Sequence, residues 1–111
     1  MELKSQLVGD ISIAQLSGRF DSYEAPRLTT WFEQANSKVI VNLAEVSFVD
    51  SSALALLVKG MKHCRQGGGD LALCSLQQPV KVIFELTRLD KAFGIYSTQD
   101  EAIQALNDKF A

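Results

Sequence analysis

Apolar positions along this chain repeat with two different periods. Leu3 to Val8 and Ile11 to Leu16 are short β-rich runs. Gly9-Asp10 between them reaches positive φ cheaply, which predicts a hairpin. In the second run Ile11, Ile13 and Gln15 face one way, and Ser12, Ala14 and Leu16 the other. That mixture fits strands partly covered on both faces. Lys38 to Leu43 is a nearly unbroken β-branched run, as expected of a central strand buried on both sides. Asp70 to Cys74 and Phe93 to Tyr96 read as two further strands.

The other period is helical. Gly18-Arg19-Phe20-Asp21-Ser22 interrupts the second strand, and Asp21 or Ser22 can cap the helix that follows. Pro26 is tolerated only in a first turn, so that helix starts near Tyr23 to Ala25. Leu28, Trp31, Phe32 and Ala35 follow at helical spacing, and Asn36-Ser37 ends the run. A second helix runs from Ser51 to Arg65 and is closed by Gly67-Gly68-Gly69. A third spans Gln77 to Leu86, with Val82, Ile83 and Leu86 as its apolar face. A fourth spans Gln99 to Lys109, with Ala102, Ile103 and Leu106 inward and Ser97 or Thr98 as cap. The order ββαβαβαβα predicts one α/β domain over 1–111, with a mixed central sheet.

Composition narrows the function. The chain has 111 residues, 47% hydrophobic and 22% charged, with a formal net charge of −2. One globular domain fits, and disorder does not. Lys and Arg are scattered, so the basic patch of a nucleic-acid binder is missing. The longest apolar run, near Ala53 to Val58, is far too short to span a membrane. Met1 to Ser5 lacks the apolar core of a signal peptide, so a cytoplasmic location is expected. Cys64 and Cys74 fall at apolar positions and read as buried free thiols. His63 is the one histidine, which argues against a metal centre. No cofactor is expected. Gly67-Gly68-Gly69 precedes a strand rather than opening a helix, so it reads as a tight turn and not a phosphate cradle.

The chemistry concentrates where a strand meets the second helix, at Val46-Ser47-Phe48-Val49-Asp50-Ser51-Ser52-Ala53-Leu54. Free N–H groups and the positive end of the helix dipole point outward at a helix start, which favours phosphate there. Projected at about 100° per residue, Leu54, Leu57, Val58, Met61 and Arg65 form one sector, with Cys64 on its flank. The opposite sector holds Ser52, Leu56, Lys59 and His63. Ser52 is thus expected to face solvent, and Ser51 to lie nearer the body of the domain. Leu56 becomes an outward apolar residue beside an accessible serine. Asp and Ser are also the preferred N-cap residues, so plain capping accounts for the same triplet. His63 lies roughly 16 Å down the helix, too far to activate either hydroxyl.

These residues resemble a family. Asp50-Ser51-Ser52-Ala53-Leu54 after its strand is similar to the D-S-S/T-G-L signature of STAS domains, specifically bacterial anti-sigma factor antagonists. Leu16-Ser17-Gly18-Arg19-Phe20-Asp21 resembles the family's L-x-G-x-x-D turn. The glycine turn before Asp70-Leu71 and the helix after Pro79 match as well, so the resemblance covers about residues 3 to 108. Ala53 departs from the usual glycine, and its methyl group is expected to stand in the way of a kinase.

The resemblance implies a STAS-type α/β domain that acts as a switch and not as an enzyme. Unphosphorylated, such a protein binds an anti-sigma factor that is also a serine kinase with a histidine-kinase-like ATPase fold. Phosphorylation of a serine in the turn releases it, and a serine phosphatase resets it. The acceptor maps to Ser52, with Ser51 as the alternative. Asp21, Asp50, Ser51, Ser52, Ala53, Leu56 and Lys59 make up the expected partner-binding face. The competing readings are a constitutive interaction module of the same fold in another signalling or transporter assembly, and a small nucleotide-binding α/β protein.

Overall fold

The computed structural model describes residues 1–111. The strands are β1 (Glu2–Val8), β2 (Ile11–Phe20), β3 (Lys38–Val49), β4 (Asp70–Cys74) and β5 (Gly94–Tyr96). The helices are α1 (Ala25–Gln34), α2 (Ser51–Gln66), α3 (Gln78–Leu86) and α4 (Gln99–Lys109), with a 3-10 turn at Leu89–Lys91. The sheet order is β1-β2-β3-β4-β5. β1 and β2 form the expected antiparallel hairpin, with Gly9 at φ +61°, and the remaining pairs are parallel. The sheet is therefore mixed, in the order the periodicity predicts.

Alternation along the strands divides the core. Ala14, Leu16, Val39, Val41, Leu71 and Leu73 join α1, α2 and α3 in the larger cluster. Ile11, Ile13, Ile40, Ala72 and Cys74 meet Ala102 and Leu106 of α4 on the other face. A central strand covered on both sides takes apolar residues on both faces, which is why Val39 to Val41 show no alternation, while the buried Asn42 donates its amide to Gln99 Oε1 at 3.0 Å. Both cysteines are buried and free. No helix is long and apolar enough to cross a membrane.

Three sequence expectations need correction. First, β2 and β3 run well past Leu16 and Leu43. Leu16, Phe20, Val46 and Val49 keep filling the core, and the pairing absorbs register shifts at Gln15/Ser17 and Gly18/Arg19. Gly18, at φ +96°, bends the strand where it was expected to end it. Second, α3 buries Val80 and Phe84, whereas Val82 and Leu86 are 40% and 78% exposed. Phe84 sets the phase by meeting Phe93 edge to face, at 5.9 Å between ring centroids. Third, the buried line of α2 is Ala53, Leu57, Gly60, Met61 and Cys64. Leu54 and Val58 flank it half-buried, and Arg65 is exposed. Gly60 explains the rotation: a Cβ there would lie 2.7 Å from Cζ of Phe32, so its absence lets α1 press onto this side of α2.

The glycine turn is a packing device. A Cβ on Gly69 would stand 2.0 Å from the Ser37 carbonyl oxygen. The Ser37 backbone thus fills the space beside Gly69, while Gly68 meets nothing within 4 Å.

Asp70 ties three elements together at the opposite end of the sheet from the serines. Its carboxylate accepts from Arg65 Nε at 3.0 Å, Lys109 Nζ at 2.7 Å and the Leu71 N–H at 2.8 Å. Burial raises its pKa, but the bonds from Lys109, Leu71 and Arg65 outweigh this, and the net shift is downward. A carboxyl whose folded pKa lies below its unfolded value adds stability above the unfolded pKa. That stability is lost as pH falls toward the folded one. Melting curves of wild type and Asp70→Asn should therefore lie furthest apart near neutrality and converge below about pH 4. A constant gap down to the most acidic point would show that Asp70 is not ionically coupled.

Candidate functional site

The extension of β2 and β3 brings two turns together. The Asp50 N–H donates to the Phe20 carbonyl at 3.3 Å, which joins the ends of the two strands. Asp50 is then the N-cap of α2, with extended backbone at φ −108° and ψ −179°. Its Oδ1 accepts from the Ala53 N–H at 2.9 Å, a standard capping bond. Its Oδ2 accepts from the Ser22 N–H at 3.1 Å, across to the turn before α1. One carboxylate thus caps a helix and clasps the neighbouring turn.

Asp21 organises that second turn. Its Oδ1 accepts from the N–H groups of Tyr23 and Glu24, both at 3.2 Å. Its carbonyl accepts from the Ala25 N–H at 2.8 Å. Asp21 rather than Ser22 holds the entry to α1, and Glu24 stands at the N-cap without a side-chain capping bond, its Oε1 instead accepting from the Met1 amine at 3.0 Å. Beside it, Arg19 Nε lies 3.9 Å from Asp21 Oδ2, and the guanidinium sits over the Phe48 ring at 3.9 Å from its centroid.

Ser51 and Ser52 occupy the first two positions of α2, and both are exposed. The projection set Ser51 nearer the body of the domain than Ser52, but both fall among the exposed residues. Ser51 directly follows the cap, and exposure does not separate the two hydroxyls. Ala53 is fully buried, which removes it from the expected contact face. Its methyl group packs inward and leaves the approach to the serines open. Leu56 is half-buried and packs against the larger core cluster. It lines a shallow groove with Phe32, Lys59 and His63. Lys59 is exposed one turn further along α2. Asp21, Asp50, Ser51 and Ser52 therefore gather at the joined turns, with Leu56 and Lys59 continuing along the helix.

Neither hydroxyl has a base. Both Asp50 oxygens are engaged by backbone donors. The Cys64 thiol is buried, and burial followed by the charge of Asp70 pushes its pKa up to about 11. The site can present a hydroxyl to an incoming catalyst and supplies no activation of its own. Sequence reasoning missed Tyr23, which is 87% exposed, and the stacked pair Arg19 and Phe48. Tyr23 reads in sequence as the start of a helix, and only the folded turn shows its ring in solvent.

Comparison with known proteins agrees with this architecture. The chain is 30% identical over 105 residues to the anti-sigma-B factor antagonist of Listeria monocytogenes, covering 91% of each. It is 26% identical over 101 residues to the anti-sigma F factor antagonist of Paenibacillus polymyxa, covering 86% of each. Its backbone matches the structure of an anti-sigma-factor antagonist (STAS) domain protein from Planctomyces limnophilus with a TM-score of 0.84. That match has 24% identity and covers 95% of this chain and 97% of the other. A family model described as the STAS domain matches residues 3–102. With that match spanning nearly the whole chain, the protein belongs to the STAS domain family.

Proposed function

We propose that this protein is an anti-sigma factor antagonist whose docking is switched by phosphate on Ser52. In this reading the unmodified chain binds an anti-sigma factor that is also a serine kinase with an ATP-binding fold related to histidine kinases. The kinase modifies Ser52, the complex parts, and a serine phosphatase restores the hydroxyl. The chain is substrate and binder, not enzyme, and works in the cytoplasm without a cofactor.

The observation that carries this reading is an exposed hydroxyl at the uncovered start of α2, beside a turn clasped by Asp50. A phosphate adds about −1.5 to −2 charges and three strong acceptors. The helix dipole and the free first-turn N–H groups accommodate it within the monomer. A partner surface lacking a cation to receive it does not. Because Asp50 is occupied and no base is near, the kinase must bring Mg-ATP and the base for the transfer.

Protein isolated from its native cells provides the test. Intact mass and fragmentation are expected to show a fraction carrying one phosphate, mapped to Ser52. Phosphate on Ser51 alone would move the acceptor. Unmodified serines throughout would replace the switch by a constitutive interaction module.

A further inference from the structure

The sheet ends in two unlike edges. β5 is three residues long and half-buried. β1 is seven residues long, pairs with β2 without a register shift and has no strand on its other side. It carries neither a proline nor a bulge, the usual devices that keep an edge from pairing again. Its outward N–H and C=O groups therefore form an open ladder about 24 Å long, at about 3.4 Å per residue. Side-chain placement follows the pleat. Leu3 packs on the larger core cluster, and the Ser5 hydroxyl accepts from Trp31 Nε1 at 3.0 Å, so Leu3, Ser5 and Leu7 share the α1 face. Val8 packs on the α4 cluster, so Glu2, Lys4 and Gln6 share the other face. Leu7 is 64% exposed, the one large hydrophobic residue of any strand left so open.

We infer that β1 is the seam of a symmetric dimer, in which two copies of this chain join edge to edge into one ten-stranded sheet. A two-fold axis normal to the sheet makes the two β1 strands antiparallel and keeps each face on its own side. Only residues of one face can then oppose each other, which leaves few registers. Centring the axis on Lys4 sets that lysine against its own copy and leaves Leu7 unpaired. Centring it on Ser5 pairs the whole strand: Glu2 with Val8, Leu3 with Leu7, Lys4 with Gln6, and Ser5 with itself. This register opposes no like charges and lays the exposed Leu7 against Leu3 of the second copy. The strand is thus complementary to itself, which selects a second copy as the occupant. A seam of one strand pair is small for a permanent dimer, so the association belongs at the weak, concentration-dependent end. The axis reverses strand direction, so the two serine turns, each at the end of β3, lie at opposite ends of the joined sheet. The dimer therefore stands apart from the proposed switch and leaves both sites open.

The test is sedimentation equilibrium of the full chain from about 1 to about 500 μM, and a reversible monomer–dimer equilibrium is expected. Leu7→Lys is expected to raise the dissociation constant about tenfold or more. Leu86→Lys, a change at an exposed leucine of α3, is expected to leave it unchanged. A cysteine at the axis reads the register and does not depend on how Leu7→Lys folds. Directly opposed Cβ atoms lie about 4.5–5.5 Å apart, within a small adjustment of disulfide reach. Mild oxidation of Ser5→Cys is therefore expected to give a covalent dimer, at least tenfold faster than Lys62→Cys on the exposed side of α2. Cys64 and Cys74 are buried and stay out of the reaction. A monomer throughout the range, a dimer that a folded Leu7→Lys chain retains at full strength, or equal oxidation of the two cysteine variants overturns the seam.

Discussion

Ser52→Glu is expected to weaken binding to the docking partner by about a hundredfold while leaving the fold intact. Burying an unpaired charge at an interface costs roughly 3 kcal/mol, and each 1.4 kcal/mol is tenfold in affinity. A true phosphate carries more charge and should act more strongly. Within the monomer the same carboxylate sits at the start of α2, where a negative group contributes about 0.3–1 kcal/mol of stabilisation at an exposed end. Asp50 lies next to it in the chain, but its charge is already shared by two backbone donors. The melting point should consequently move by only a few degrees. Calorimetric titration against the partner and a thermal melt check both halves. Undiminished affinity, or a collapse in stability that accounts for the loss, would each defeat the charge-repulsion mechanism.

Gly69→Ala is expected to be the most damaging single-methyl change in the chain. The added Cβ would lie 2.0 Å from the Ser37 carbonyl oxygen and 2.4 Å from its carbon, both backbone atoms that cannot rotate aside. Ser37 leads directly into β3, and Lys38 pairs with Asp70 at the start of β4. Relief must therefore separate the glycine turn from β3 and strain the Asp70 contacts with Arg65 and Lys109. Overpacking of this kind costs about 3 kcal/mol or more, or a fall of about 12 to 24 °C in the melting point of a domain this size. Gly68→Ala is the informative comparison. It meets open space but sits at φ +86°, so only the left-handed backbone penalty of about 1–2 kcal/mol applies. Equal melting points for the two variants would show that the close approach to Ser37 is not a constraint.

Much of this architecture was readable from residue order. Apolar runs and periods mark all five strands and four α-helices, though not the 3-10 turn at Leu89–Lys91 or the far ends of β2 and β3, and the turns are marked by Gly9-Asp10, the three glycines and Pro26. The errors came where tertiary packing decides. The face of α3 was misplaced because Val82 and Leu86 are as apolar as Val80 and Phe84, and only the meeting of Phe84 with Phe93 sets the phase. α2 was rotated because Gly60 has no hydrophobicity to register, yet it admits the Phe32 ring. At the site, the serine turn and the neighbouring Asp21 turn were visible as motifs. That one carboxylate joins them was not, since Asp50 and Ser22 lie far apart in the chain and the bond uses a backbone donor. The exposure of Tyr23 was hidden for a related reason: an aromatic side chain ordinarily argues for burial.

The carboxylate clasp has a consequence for how the protein is recognised. Its two ends are 28 residues apart in sequence, so the surface around the serines is a composite that no contiguous peptide carries. Whatever reads that surface also reads whether the sheet beneath it has been completed. Nascent, nicked or heat-damaged copies offer the two serines without the neighbouring turn. A partner that docks on such a composite would thereby tell a finished molecule from an unfinished one.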